Sequence, residues 1–145
     1  MSEPKVQVFF YGSYINFDVL KEVDLIPDHF KVSQLSGYDI NIAPRANIIK
    51  SDQHCVYGIL TTATHNELQR LYIEHAKGIL GEIYLPEAVL VETLEGAWIP
   101  ALCYIAPSMK IEKAEKDYVD RIVTPAKKFK FPDWYILRLE SFKSA

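Results

Sequence analysis

The sequence predicts an α+β fold, a small barrel or curled sheet flanked by helices. Three observations carry this. Short β-branched and aromatic runs fill the first two thirds of the chain, helical patterns dominate the last third, and little βαβ alternation links them. At 145 residues and 49% hydrophobic, the chain has the length and apolar content of one domain spanning 1–145.

Val6 to Phe10 reads as a buried strand running into a tight loop at Tyr11-Gly12-Ser13. Asn16 is placed to cap a short helix, Phe17 to Glu22, which Pro27 closes off. Phe30 to Ile42 reads as one or two strands around Gly37-Tyr38, and Val56 to Thr61 as another. Thr64-His65-Asn66-Glu67 is a capping-box pattern opening a helix with Leu68, Leu71 and Tyr72 on one face, ended by Gly78. Ile83 to Glu92 and Trp98 to Ile105 have hairpin spacing about Leu94-Glu95-Gly96. Helices are expected over Ala114 to Lys128 and Asp133 to Phe142, broken at Phe131-Pro132. The last helix, with Trp134, can cover the barrel or a second chain, so the pattern fits a monomer or a homodimer.

A net charge of -3 offers no basic footprint for nucleic acid. No apolar run approaches the ~18 residues of a membrane span, and Met-Ser-Glu-Pro-Lys does not read as a signal peptide. A cytoplasmic, reduced setting is expected, with Cys55 and Cys103 as core thiols. No Cys/His spacing suggests a metal.

Among residues able to carry chemistry, Gly12 follows a buried strand. A glycine there permits positive φ and close ligand approach, so consecutive amides from Tyr11 to Ile15 can face one anionic group. Taken alone, the tripeptide is a structural turn. Glu74 lies three residues after Leu71, close to the apolar helix face, where partial desolvation would make it a better base. Taken alone, it is a solvated helix-end residue beside Lys77. His75 reads as a capping or surface histidine. Ser13 lacks a GxSxG elbow. Arg45 can bind a carboxylate bidentately if it faces a pocket.

Taken in order, these pieces resemble the γ-glutamylcyclotransferase family, including its γ-glutamylamine cyclotransferases. The resemblance runs through Val8-Phe9-Phe10-Tyr11-Gly12-Ser13, Val56-Tyr57-Gly58 and Tyr84-Leu85-Pro86-Glu87-Ala88-Val89-Leu90-Val91. It ends with Tyr118, Ile122, Ala126, Phe131-Pro132, Tyr135 and Leu139 at the family's intervals. Tyr14 stands where the family has Asn, Pro86 where Arg is usual, and His75 at the helix position of the family's glutamate.

The resemblance implies a small mixed β-barrel flanked by helices. It also implies a cofactor-free, metal-free reaction in which the α-amine of a γ-glutamyl amide attacks its own γ-carbonyl, giving 5-oxoproline and a free amine. A carboxylate would move the proton, Glu74 or alternatively Glu82. The substrate would lie against Tyr11, Gly12, Ser13, Tyr14, Ile15, Arg45 and Tyr84. The alternative is a carboxylate-binding protein of the same fold without turnover.

Overall fold

The computed structural model describes residues 3–143. The expectation of one domain over 1–145 therefore includes four terminal residues outside the described ones. Five strands close into a barrel in the order β1-β3-β2-β4-β5. They are β1 Lys5–Phe10, β2 Phe30–Ile42, β3 Ala46–Thr64, β4 Leu85–Thr93 and β5 Trp98–Ile105. The helices are α1 Phe17–Lys21, α2 His65–Gln69, α3 Lys116–Lys128 and α4 Asp133–Glu140. Neighbouring strands are antiparallel except at the seam, where β1 meets β5 in parallel at Val8↔Leu102. The barrel is therefore mixed. Among the described residues, no helix is long and apolar enough to cross a membrane.

The β2–β3 hairpin is longer than its sequence suggests. Its register runs from Phe30↔Thr61 to Ser36↔Cys55, then resumes at Tyr38↔Lys50 and continues to Ile42↔Ala46. Gly37 sits at this break with φ +88, a conformation glycine adopts without steric cost. The polar stretch Lys50-Ser51-Asp52-Gln53-His54 hides the first half of β3 from a hydrophobicity reading. Cys55, expected in the core, is half-buried beside this break, whereas Cys103 is fully buried; both are free thiols.

Val56-Tyr57-Gly58 has a steric reason. A Cβ at Gly58 would lie 2.1 Å from the Phe10 carbonyl oxygen and 2.8 Å from the Phe9 ring. Only glycine lets β3 pass β1 this closely. The capping box forms as expected: Thr64 Oγ1 accepts from Glu67 N–H at 3.1 Å, and Glu67 Oε1 accepts from Thr64 N–H at 2.8 Å.

Pro125 explains how α3 holds the front of the chain. Lacking an N–H, it leaves the Arg121 carbonyl without its helical donor. Asn16 Nδ2 donates to that carbonyl at 3.0 Å, while Asn16 Oδ1 caps α1 by accepting from Asp18 N–H. One asparagine thus starts α1 and ties the loop after β1 to α3. At the far end Tyr135 is buried against Tyr57 and Phe131, while Trp134 meets Tyr57 edge-on and stays half exposed.

Gly58→Ala should cost about 3 kcal/mol or more, because the new methyl meets backbone rather than a movable side chain. Urea unfolding checks this, and a loss under about 1 kcal/mol would contradict the packing argument.

Candidate functional site

A small cavity of about 30 Å³, open at one side, lies under the loop that follows β1. Tyr11, Gly12, Ser13 and Tyr14 form one wall. The rest is built from Ala46 at the β2–β3 tip, Tyr72 and Ala76 on the helix after β3, Leu80 and Tyr84 on the following connection, Tyr104 of β5 and Tyr118 of α3.

The loop differs from its expected form. Gly12 has φ -102, so positive φ is not what selects glycine here. A Cβ at Gly12 would lie 2.7 Å from the Ala46 methyl, so the glycine lets the hairpin tip close over the loop. Ser13–Ile15 form a 3₁₀ turn in which Ile15 N–H donates to the Gly12 carbonyl at 3.1 Å and Asn16 N–H to that of Ser13 at 3.0 Å. Ile15, expected to offer its amide to a ligand, spends it inside the turn, and its side chain is in the core. The amides of Ser13 and Tyr14 precede the first bond of the turn and have no partner within it.

Most of the cavity phenols are fixed by hydrogen bonds. Tyr11 donates to the Tyr104 carbonyl at 2.7 Å. Tyr118 accepts from Ala46 N–H at 2.9 Å, while Tyr84 donates to the Ala46 carbonyl. Tyr72 stacks on Tyr104, with centroids 3.8 Å apart and planes 9° from parallel. Its hydroxyl has no hydrogen-bond partner among the described residues. Burial pushes the ionisations of Tyr11, Tyr14, Tyr72, Tyr84 and Tyr118 upward, so the wall is made of neutral phenols.

No carboxylate lines this wall. Glu74 is exposed and faces outward beside Asn66, Gln69, Arg70 and Ile73. The desolvation expected of it does not occur. In an α-helix Leu68, Leu71, Tyr72 and His75 occupy i, i+3, i+4 and i+7, and Glu74 lies about 100° around from His75. The helix moreover widens to π geometry over Arg70–Lys77, with Gly78 N–H bonded to the Ile73 carbonyl at 3.0 Å.

His75 is therefore the inward residue. It is 6% exposed, not the surface histidine its neighbours suggest. Its Nδ1 lies 2.9 Å from the Tyr14 hydroxyl, which also donates to the Leu71 carbonyl at 2.9 Å. Its Nε2 lies 3.6 Å from Glu22 Oε2. Desolvation lowers the imidazole pKa below its ordinary 6.5, Glu22 opposes this, and Arg121 and Arg45 add to it.

Glu82 is half-buried between the cavity residues Leu80 and Tyr84. Desolvation raises its pKa above the ordinary 4.5, Arg45 pulls it down, and Glu112 pushes it up. Arg45 does not line the wall; its guanidinium lies over the Tyr118 ring, 4.8 Å from the centroid. Of the residues singled out from sequence, the cavity collects Tyr11, Gly12, Ser13, Tyr14 and Tyr84. Glu82 and Arg45 stand beside it, and Glu74 and Ile15 lie outside. Among the described residues, no group of three or more His, Cys, Asp or Glu is arranged to hold a metal ion.

No family model matches the sequence, and no curated protein matches it. Similar solved structures do exist. A gamma-glutamyl cyclotransferase matches with TM-score 0.80 and 19% identity, over 95% of this chain and 88% of that one. A human protein described as uncharacterized matches with TM-score 0.81 and 20% identity, over 96% of this chain and 88% of that one. A yeast gamma-glutamyl cyclotransferase specific to glutathione gives 0.67 and 11%, over 97% and 96%. At these identities the likeness shows the fold, and the expected γ-glutamylcyclotransferase-like architecture is found.

Buried neutral His75 makes stability depend on pH. Its folded pKa is depressed, so on acidification the unfolded chain binds the proton first. This contribution is intact above pH 6.5 and declines as pH falls below it. Chemical denaturation at pH 7.5 and 5.5 should show a larger acid loss for the parent than for His75→Asn. Equal losses would contradict this account.

Proposed function

We propose that this chain, which has the γ-glutamylcyclotransferase-like fold, cyclises a small γ-glutamyl amide to 5-oxoproline and releases the amine. The observation that carries the reading is the coincidence of the Tyr11–Tyr14 loop with a partly enclosed, neutral, tyrosine-lined cavity in that fold. Cyclisation asks for this kind of container. The γ-glutamyl chain must be held bent, with its amine against its own γ-carbonyl, and such orientation supplies several kcal/mol of the barrier. Water must be excluded so that the amine wins over hydrolysis.

In this reading the Ser13 and Tyr14 amides bind the α-carboxylate or the developing oxyanion, a role for fixed donors in a low-dielectric wall. The unpartnered Tyr72 hydroxyl is a further donor to the substrate. Of the two carboxylates, the reading retains Glu82, which faces the substrate's α-ammonium group, with Arg45 setting the opposite charge beside it. Glu74 takes no part.

A second reading, a carboxylate-binding protein without turnover, is favoured by one observation, the absence of a carboxylate from the cavity wall.

Incubation with a panel of γ-glutamyl amino acids and γ-glutamyl amines, read by mass spectrometry, tests the choice. At least one substrate should yield 5-oxoproline. Glu82→Gln should lower kcat/KM by up to about tenfold, the scale of one partly screened charge pair. Glu74→Gln should stay within about twofold. Binding without product would establish the second reading, and lost activity in Glu74→Gln would overturn the site assignment.

A further inference from the structure

Tyr14, His75 and Glu22 form a line from the cavity to the surface. The Tyr14 ring belongs to the cavity wall, while His75 and Glu22 line a separate groove on the outer side. Tyr14 oxygen and His75 Nδ1 are 2.9 Å apart, and His75 Nε2 is 3.6 Å from Glu22 Oε2. Packing supports the pair: Tyr14 meets Tyr72 edge-on at 5.3 Å and 80°, and the Tyr14 and His75 rings lie 5.7 Å apart. The Tyr14 hydroxyl has one proton and two acceptors, the Leu71 carbonyl and Nδ1. With the proton on Leu71, His75 Nδ1–H donates to the Tyr14 oxygen; with it turned to His75, Nδ1 accepts. This two-way arrangement is what a proton relay requires.

We propose that the proton of the cyclisation travels through Tyr14 to His75, the pair doing the work of the carboxylate missing from the wall. The inference rests on the cyclotransferase reading above. As the α-ammonium group gives a proton to the Tyr14 oxygen, the phenol proton passes to Nδ1. The freed amine lone pair forms the C–N bond of the ring. When the bond from the γ-carbon to the leaving nitrogen breaks, Nδ1 returns its proton to Tyr14, and Tyr14 protonates the departing amine. The α-nitrogen loses two protons in all. One reaches the leaving nitrogen through the pair. The second, shed by the positively charged ring nitrogen after attack, goes to water or to the released amine, which departs as an ammonium. Both side chains end as they began. No phenolate need accumulate, which matters because burial disfavours that ion.

The charges around His75 suit this role. Glu22, which caps the C-terminal end of α1, stabilises the transient imidazolium, whereas Arg121 of α3 and Arg45 of the hairpin tip oppose it. Asp24, Arg70 and Glu74 line the same outer groove. The resting imidazole is neutral above about pH 6.5 and free to accept a proton. His75 acts through Tyr14 and positions its proton; Tyr14 is the group that meets substrate.

The test is the pH profile of 5-oxoproline formation by the parent, Tyr14→Phe, His75→Asn and Glu22→Gln. His75→Asn keeps a hydrogen-bonding atom near Nδ1 but cannot carry a proton. Tyr14→Phe and His75→Asn should each lower kcat about 10²–10⁴-fold with little change in KM. The double variant should be no worse than either, because the two act as one unit. The parent should lose activity on an acid limb below pH 6.5, and Glu22→Gln should move that limb to lower pH, since Glu22 raises the imidazole pKa. Glu22 is half exposed, so its substitution keeps the inference testable if a core variant fails to fold. An active parent whose His75→Asn variant keeps both rate and acid limb overturns the relay and leaves the cyclotransferase reading standing. An inactive parent overturns that reading, and the relay falls with it.

Discussion

Both polar groups of the Ala46 backbone are held by tyrosines from distant parts of the chain. Its N–H donates to Tyr118 of α3, and its carbonyl accepts from Tyr84 ahead of β4. Its methyl sits where a Cβ on residue 12 would need to be. The β2–β3 tip is thereby fastened over the loop after β1, and the cavity is the space left beneath that closure. An unmade bond at either polar group would leave a buried donor or acceptor unsatisfied, at a cost of about 1–3 kcal/mol. The glycine at position 12, the long hairpin and the placement of α3 all follow from bringing Ala46 to this point.

The same closure sets the chemistry. A wall of neutral phenols excludes water and offers donors without fixed charge, so interactions inside are strong and a bound charge must be met by a few groups. The opposite charges of Arg45 and Glu82 stand beside the wall, and the one imidazole reaches it through Tyr14. Asn16 contributes from behind: by joining the Arg121 carbonyl that Pro125 leaves open, it fixes the 3₁₀ turn carrying Tyr14 against α3.

Local features were legible in the sequence because local energies decide them. The Asn16 cap, the Thr64–Glu67 box, the β4–β5 hairpin and the break at Phe131-Pro132 all arise from residues within a few positions of one another. The loop at Tyr11–Tyr14 was also legible as one wall of a pocket. The remainder was not, for physical reasons. Gly12 answers to a methyl 34 positions away, which no local pattern encodes. The Lys50–His54 stretch of β3 is polar because that part of the long hairpin faces solvent, so its alternation is weak. His75 could have been found, since with Leu68, Leu71 and Tyr72 it completes an inward helical stripe. Reading Glu74 three residues from Leu71 placed it near that stripe, whereas the turn geometry carries it outward. Tyr118 came from its position in the C-terminal pattern, but its bond to Ala46 is a tertiary fact.

The central claim is that the Ser13 and Tyr14 amides, roofed by Ala46, are where a small carboxylate binds. Titrating isotope-labelled protein with 5-oxoproline while following backbone amide resonances tests it most directly. The account predicts saturable shifts that are largest at Ser13, Tyr14 and Ala46, with the outer groove at Glu74 unmoved. Shifts centred elsewhere, or none at saturating ligand, would contradict it.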